Sequence, residues 1–417
     1  MAPLALTANA AEIADAVAEA AHAEAGFSQQ RLQRLDEFLR QATGKDGYLG
    51  GVSLVMRNGR VAELRAYGHR DLARTQPMRE DTIFRLYSMT KPIASVAVLQ
   101  LMERGLLHLD DPVARYLPEF AAMRLFVGGN ADAPQLQEAS APLTIRHLLT
   151  HTGGFATGGA GYEEPTRMLG RADLHGSATL EEFSRRLSQV PLASEPGTRF
   201  KYDGTGIEVL ARLVEVVSGE AFDAYLQRHV LQPLGMRDSG FSVPQRERHR
   251  IADITTMGTD GKLRLDDGPS AREPGAMLNP YPSGAGGLYS TANDYARFCQ
   301  MLLDGGRWGE TRLLSRKTVE LMMMNHLTQL DPPVTEFSNA EGFGLGGYVV
   351  LDVAARGRPG SVGAFGWSGA ASTTFTIDRQ EKLVAILLLQ HLPDGSEQDL
   401  PRIGTRFYNL VYQALEP

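Results

Sequence analysis

The sequence predicts an α/β (α+β) protein in which an antiparallel sheet flanked by helices is built from both chain ends. A mostly helical unit is inserted between them. Three observations lead there. Residues 28–67 read as a helix and then a hairpin, residues 371–415 as a hairpin and then a helix, and helical periodicities broken by glycine fill the middle. The 417 residues then divide into an N-terminal arm (1–27), an α/β domain (28–85 with 286–417) and an inserted helical domain (86–285).

The elements follow in order. Residues 10–24 are alanine-rich and predict a helix or arm with only Ile13 and Val17 to bury. Residues 28–42 space Leu32, Leu35, Phe38 and Leu39 by three or four, the period of an amphipathic helix. Residues 51–56 and 60–67 flank Asn58-Gly59, a pair that readily adopts the positive φ angles of a tight hairpin. A helix is predicted from residue 92, ending near Gly105. Further helices are predicted at 144–150, 179–190, 205–218, 291–304 and 315–324, with glycine-heavy loops at 128–142, 153–161 and 258–287. Strands at 371–378 and 382–390 and a helix at about 401–415 close the chain.

Composition narrows the function. With 42 Lys+Arg against 49 Asp+Glu the net charge is −7, and no basic cluster offers itself to nucleic acid or an anionic membrane. One cysteine, Cys299, excludes an internal disulfide framework and any multi-cysteine metal site. The histidines form no H-E-x-x-H, and His147 and His151 have no clustered carboxylates nearby in sequence, so no metal and no cofactor are expected. The longest clean apolar run, Leu383–Leu389, is far too short for a membrane span. Ala8-Asn9-Ala10 resembles a signal cleavage step, but a basic n-region and a long apolar stretch are missing. A cytoplasmic location is expected for the sequence as it stands, and a periplasmic or secreted one if its N-terminus was trimmed. The oligomeric state is left open.

Chemistry concentrates in three places. The first is Arg85-Leu86-Tyr87-Ser88-Met89-Thr90-Lys91-Pro92, where a helix starting near Ser88 carries Lys91 one turn on and on the same face. Pro92 is tolerated there because first-turn N–H groups have no intrahelical partner. A serine at a helix start can simply be a cap. To activate it, the lysine must be neutral, and an ordinary lysine is neutral in only about one part in a few thousand at pH 7. Lowering its pKa by about three units takes roughly 4 kcal/mol, which burial and nearby dipoles can supply. The second is Tyr202, on a loop between Pro196-Gly197 and an apolar helix, where it could pass a proton or simply pack. The third is Phe365-Gly366-Trp367-Ser368-Gly369-Ala370, whose small residues would let a strand edge offer N–H groups to an oxyanion.

In combination, S-x-x-K, then the tyrosine, then the three-residue strand motif resemble the serine β-lactamase and penicillin-binding superfamily. The similarity is greatest to its class C-like branch, including the family VIII carboxylesterases. It extends through Met78-Arg79-Glu80-Asp81-Thr82, Leu109-Asp110-Asp111-Pro112-Val113, Tyr116-Leu117-Pro118-Glu119 and Leu148-Leu149-Thr150-His151-Thr152-Gly153-Gly154. It continues in Gln232-Pro233-Leu234-Gly235-Met236, residues 283–291, Asp294-Tyr295-Ala296-Arg297 and Gly342-Phe343-Gly344-Leu345-Gly346. The resemblance implies a β-lactamase/transpeptidase-like fold, with Ser88 as acylated nucleophile, Lys91 as general base and Tyr202 as proton shuttle. It also implies an oxyanion hole formed by the N–H groups of Ser88 and Ala370.

The departures from that pattern carry the specificity. Where class C β-lactamases have Tyr-x-Asn, the third position here is Gly204, and where they have Lys-Thr-Gly the sequence reads Trp367-Ser368-Gly369. Without that lysine, a cation for the substrate carboxylate is lost and an indole takes its place, which favours uncharged esters with short acyl chains. Loops at 120–141, 153–178 and 325–342 are expected to roof the cleft, and Phe155, Tyr162 and Phe337 join Trp367, Ser368 and Gly369 as candidate substrate contacts. The alternatives are a β-lactamase, a D-amino-acid amidase or peptidase, an acyltransferase, and a non-catalytic recognition module for cell-wall peptides. Gly366-Trp367-Ser368-Gly369-Ala370 nearly spells the α/β-hydrolase elbow, with Asp378 and His391 following, but an elbow needs a helix next and residues 373–377 are β-branched and strand-like. Replacing Ser368 by alanine is therefore expected to leave acyl-enzyme formation intact, as read by intact-protein mass.

Overall fold

The computed structural model describes residues 22–159 and 161–417, so most of the predicted arm lies outside the described residues. The first labelled helix, α1 (Gln29–Ala42), buries Leu32, Leu35, Phe38 and Leu39. Strands β1 (Gly50–Arg57) and β2 (Arg60–Gly68) form the predicted hairpin. Its turn has φ 53° at Asn58 and 74° at Gly59, the left-handed pair that such a turn requires. Then come α2 (Thr90–Glu103), α3 (Thr205–Ser218) and α4 (Ala292–Leu303). The chain closes with β3 (Glu341–Phe343), β4 (Tyr348–Val350), β5 (Phe365–Gly369), β6 (Thr373–Asp378), β7 (Leu383–Leu389) and α5 (Gly404–Tyr412).

Among the described residues these strands form one seven-stranded sheet in the order β3-β4-β5-β6-β7-β1-β2, with every neighbouring pair antiparallel. The two chain ends meet where β1 pairs with β7, Leu54 opposite Ile386. That seam explains the unbroken apolar run of β7. Val384, Ile386 and Leu388 enter one core, shared with Tyr295, Phe298 and Cys299 of α4. Leu383, Ala385, Leu387 and Leu389 enter another, shared with α1 and with Phe407, Tyr408 and Val411 of α5. Both faces of the strand are covered, so the alternation of a half-exposed strand is lost. Each fully buried Leu or Ile contributes about 1.5–3 kcal/mol through burial.

The central helix α2 is buried on nearly every side, from Thr90 to Leu101. Its apolar residues run all the way round, as a helix enclosed by other elements requires. Cys299 is buried in α4, and burial pushes its thiol pKa well up, which keeps it protonated and unreactive.

Three sequence expectations need correction. Part of the glycine-heavy stretch 128–142 belongs to a hairpin, Arg124–Asn130 with Ala133–Glu138. Its outer strand is almost wholly exposed, so no apolar alternation marked it. The stretch 258–287 is not all loop: its residues 263–265 form a strand, Leu263–Leu265, paired with Thr255–Met257. At the C-terminal end the sheet does not begin with the two predicted strands, because β3, β4 and β5 extend it. Strands β3 and β4 are only three residues long, too short for a periodic signal.

Candidate active site

Ser88 occupies a single 3₁₀ turn, Tyr87–Met89, between the short strand Phe84–Arg85 and α2. Tyr87 holds φ 46°, a left-handed conformation uncommon for a residue with a side chain, so the turn that presents the serine is strained. It is pinned from several sides. Phe84–Arg85 pairs with Tyr289–Ser290, the Leu86 N–H donates to Leu288 O at 2.9 Å, and the Tyr295 hydroxyl donates to Met89 O at 2.9 Å.

Two proton-carrying groups converge on the serine. Lys91 Nζ donates to Ser88 Oγ at 3.0 Å, and Tyr202 OH donates to the same oxygen at 2.7 Å. Lys91 is 2% exposed. Its second acceptor is Ala285 O at 2.8 Å, and the Tyr202 ring lies 4.9 Å from its ammonium. A buried amine needs such partners, because a polar group taken out of water without hydrogen bonds is destabilising. Near the Lys91 end, Glu208 of α3 accepts the Ser283 hydroxyl and the Gly284 N–H, the latter at 2.9 Å. Burial pushes the Glu208 carboxyl up to about 7, although the Ser283 hydroxyl, the Lys91 charge and the N–H groups of Gly284 and Ala285 favour its ionised form.

Tyr202 stands in an aromatic wall. Trp367 lies 5.1 Å away by ring centroid and Phe337 5.7 Å, while Phe343 meets Trp367 edge-on at 5.2 Å. The Trp367 Nε1–H points at Tyr202 OH, 3.4 Å away. Behind the tyrosine, His151 packs at 4.7 Å and lies 3.4 Å from Asp203. Burial lowers the His151 pKa. Burial by itself would raise Asp203, but His151, the Gly206 N–H and Thr205 together hold its carboxyl below the usual range. Asp203 also caps α3 by accepting the Gly206 N–H at 2.6 Å. His151 and Asp203 are 52 apart in the chain, and only folding brings them together.

The motif strand β5 is not an edge of the sheet, as β4 lies beside it. Yet β4 pairs only with Phe365 and Gly366, while β6 pairs with all of Phe365–Gly369. Trp367, Ser368 and Gly369 therefore have no strand partner on the β4 side. Gly369 packs so closely on Leu86 O that a Cβ there would collide with it. Ala370 follows directly and is exposed, as is Ser368.

Of the candidate contacts, Phe337 is 59% exposed and faces Tyr202 and Trp367. Tyr162 lies apart from those rings, under the Lys201 ammonium at 5.8 Å. Phe155 is corrected: it is buried in the main core at 2% exposure, because its apolar ring fills space beside Leu143 and Gly153 rather than facing solvent. Sequence reasoning missed Glu336, which accepts the Tyr202 backbone N–H at 2.9 Å and pairs with Lys201 at 2.8 Å. It also missed Ala285, which acts through its backbone carbonyl and leaves no side-chain signature, and Glu208, an acid on the buried face of an apolar helix. That last misplacement was a readable signal.

A helix-flanked antiparallel sheet with Ser-x-x-Lys opening its central helix is the arrangement of the serine β-lactamases and penicillin-binding proteins. The chain belongs to the Beta-lactamase family, whose pattern matches residues 35–405. Esterase EstB of Burkholderia gladioli is 34% identical over 383 residues, covering 87% of this chain and 91% of that protein. Monacolin J acid methylbutanoyltransferase of Aspergillus terreus is 30% identical over 401 residues, covering 88% of this chain and 94% of that protein. The solved structure of EstCE1, a hydrolase with promiscuous acyltransferase activity, superposes with a TM-score of 0.74 at 29% identity, covering 92% of this chain and 99% of that one. These similarities agree with the expected place beside the family VIII esterases, and they define a serine hydrolase or acyltransferase. Among the described residues no helix is long and apolar enough to cross a membrane.

The contact between Gly369 and Leu86 O couples β5 to the serine turn. Gly369→Ala is expected to lower kcat at least about tenfold, roughly 1.4 kcal/mol in the barrier, while far-UV circular dichroism stays unchanged.

Proposed function

We propose that the protein is a carboxylesterase acting on uncharged esters of short acyl chains through an acyl-enzyme on Ser88. The observation that carries this reading is the convergence of Lys91 Nζ (3.0 Å) and Tyr202 OH (2.7 Å) on one serine oxygen, beside an uncharged indole. In this mechanism neutral Lys91 takes the Ser88 proton as Oγ attacks the ester carbonyl. The oxyanion is held by the N–H groups of Ser88 and Ala370, at the end of β5 that has no strand partner on the β4 side. Tyr202 relays a proton to the departing alkoxide, and Lys91 and Tyr202 then activate the water that releases the acid. Trp367, Phe337 and Tyr202 form the apolar wall for the substrate, with Ser368 and Gly369 at its rim. At the position that carries an asparagine amide in class C enzymes, Gly204 packs near Ala285 and offers no side-chain amide to an acyl-amino group.

A second reading, acyl transfer to an alcohol, is favoured by the similarity to the methylbutanoyltransferase and to EstCE1. It shares the acyl-enzyme and differs only in which nucleophile ends it.

The test is turnover of p-nitrophenyl acetate and butyrate beside nitrocefin and D-Ala-p-nitroanilide, with and without added alcohol. Ester cleavage is expected to dominate, and Ser88→Ala to abolish it along with the mass gain from a slow acylating probe. Absence of both in the wild type sinks the enzymatic reading. Product ester in the presence of alcohol supports transfer. Trp367→Lys is expected to shift preference toward carboxylated substrates, and an unchanged nitrocefin-to-ester ratio removes this account of the ester bias.

A further inference from the structure

Glu208 is a buried acid with no part in the proton transfers above. It is 4% exposed on α3, six residues beyond Tyr202, in a stretch where Ile207, Val209, Leu210 and Ala211 are all buried as well. An acid in such a place destabilises the fold unless it is bonded or used. It is bonded to one loop. Its two carboxylate oxygens accept the Ser283 hydroxyl and the Gly284 N–H, and Ser283 Oγ in turn accepts the Gly286 N–H at 3.2 Å. Gly284 allows the close approach: a Cβ there would press on Ala211 and Ile207 O at about 3 Å. Between these anchored residues lies Ala285, whose carbonyl accepts from Lys91 Nζ at 2.8 Å. Gly286, on the other side, packs against the Tyr87 backbone.

We propose that Glu208 is a positioning residue for the reaction, which latches loop 283–286 onto α3 so that Ala285 O holds Lys91 against Ser88, and which sets a carboxylate one residue along the loop from the carbonyl that receives Lys91. The inference rests on the hydrolytic reading above. When Lys91 takes the Ser88 proton it becomes an ammonium in a site nearly closed to water. A nearby anion stabilises the charge that appears in that step. The other titratable groups around the pair are Tyr202, whose ring lies beside Lys91 Nζ, buried His151, whose pKa burial lowers, Asp203, which His151 and the Gly206 N–H hold below the usual carboxylate range against burial, and Tyr281, pushed up by burial and by Glu208.

Two variants test this on p-nitrophenyl butyrate between pH 5 and 9. Glu208→Gln keeps the shape and removes the charge. Its kcat at pH 8 is expected to fall about tenfold with KM within about twofold, one pKa unit's worth of interaction. Glu208, pushed up to about 7 by burial, takes up a proton within this range, so the part of the acid limb of kcat/KM that it sets should be lost in Glu208→Gln. Ser283→Ala removes the hydroxyl half of the latch, keeps the Gly284 N–H half and leaves the acid in place, and kcat is expected to drop about threefold or more with the same KM, roughly the worth of one hydrogen bond. Wild-type kcat and an unmoved acid limb in Glu208→Gln overturn the proposal. If that variant does not fold, wild-type kcat in Ser283→Ala overturns it instead. An inactive wild type sinks the hydrolytic reading and this inference together, whereas an active wild type with unaltered variants sinks only the role of Glu208.

Discussion

A lysine amine held almost out of water against a serine hydroxyl is the constraint around which the centre of this molecule is arranged. With 2% of its surface exposed, Lys91 must find acceptors inside the protein, and it finds Ser88 Oγ and Ala285 O, with the face of Tyr202 beside them. Each of those partners comes from a different stretch of chain. Ser88 requires the strained turn at Tyr87 and the enclosed helix α2, Ala285 requires a loop of small residues bound to Glu208, and Tyr202 requires the cap at Asp203. The cost of burying the amine is offset by hydrogen bonds whose geometry also fixes the serine hydroxyl.

The sheet serves this arrangement by its unevenness. Strand β5 is fully paired with β6 but leaves Trp367, Ser368 and Gly369 unpaired on the β4 side, where Gly369 abuts Leu86. Unpaired backbone at a sheet's exposed margin invites aggregation. Here the glycine side is pressed against the serine turn and the Trp367 side is walled by Tyr202, Phe337 and Phe343. The specificity argument lies in that wall, since an indole stands where related enzymes place a cation.

How much was readable in advance varied with how local the cause was. The hairpin at Asn58-Gly59, the amphipathic helix α1 and the Ser88/Lys91 spacing depend on nearest neighbours along the chain, and each stands as expected. Phe155 was misjudged because an aromatic residue in a glycine-rich loop has the same sequence signature whether its ring faces solvent or core. The hairpin at residues 124–138 escaped because its strands bury too little to show a period. His151 and Asp203, and likewise Tyr202 and Glu336, are separated by stretches whose path no local pattern specifies.

The sequence alone determined which residue types could do chemistry, their order along the chain, and the family to which that order belongs. One serine, one lysine a helical turn away, one tyrosine and an indole in the strand motif are facts of composition and spacing. Folding decided which carbonyl holds the lysine, which acid latches that carbonyl, which half of β5 stays unpaired, and which of the candidate aromatic residues actually meets Tyr202. The reason is physical. Helix and turn preferences act over a few residues, whereas hydrogen bonds to a buried charge are made by whatever backbone the closed chain brings within about 3 Å.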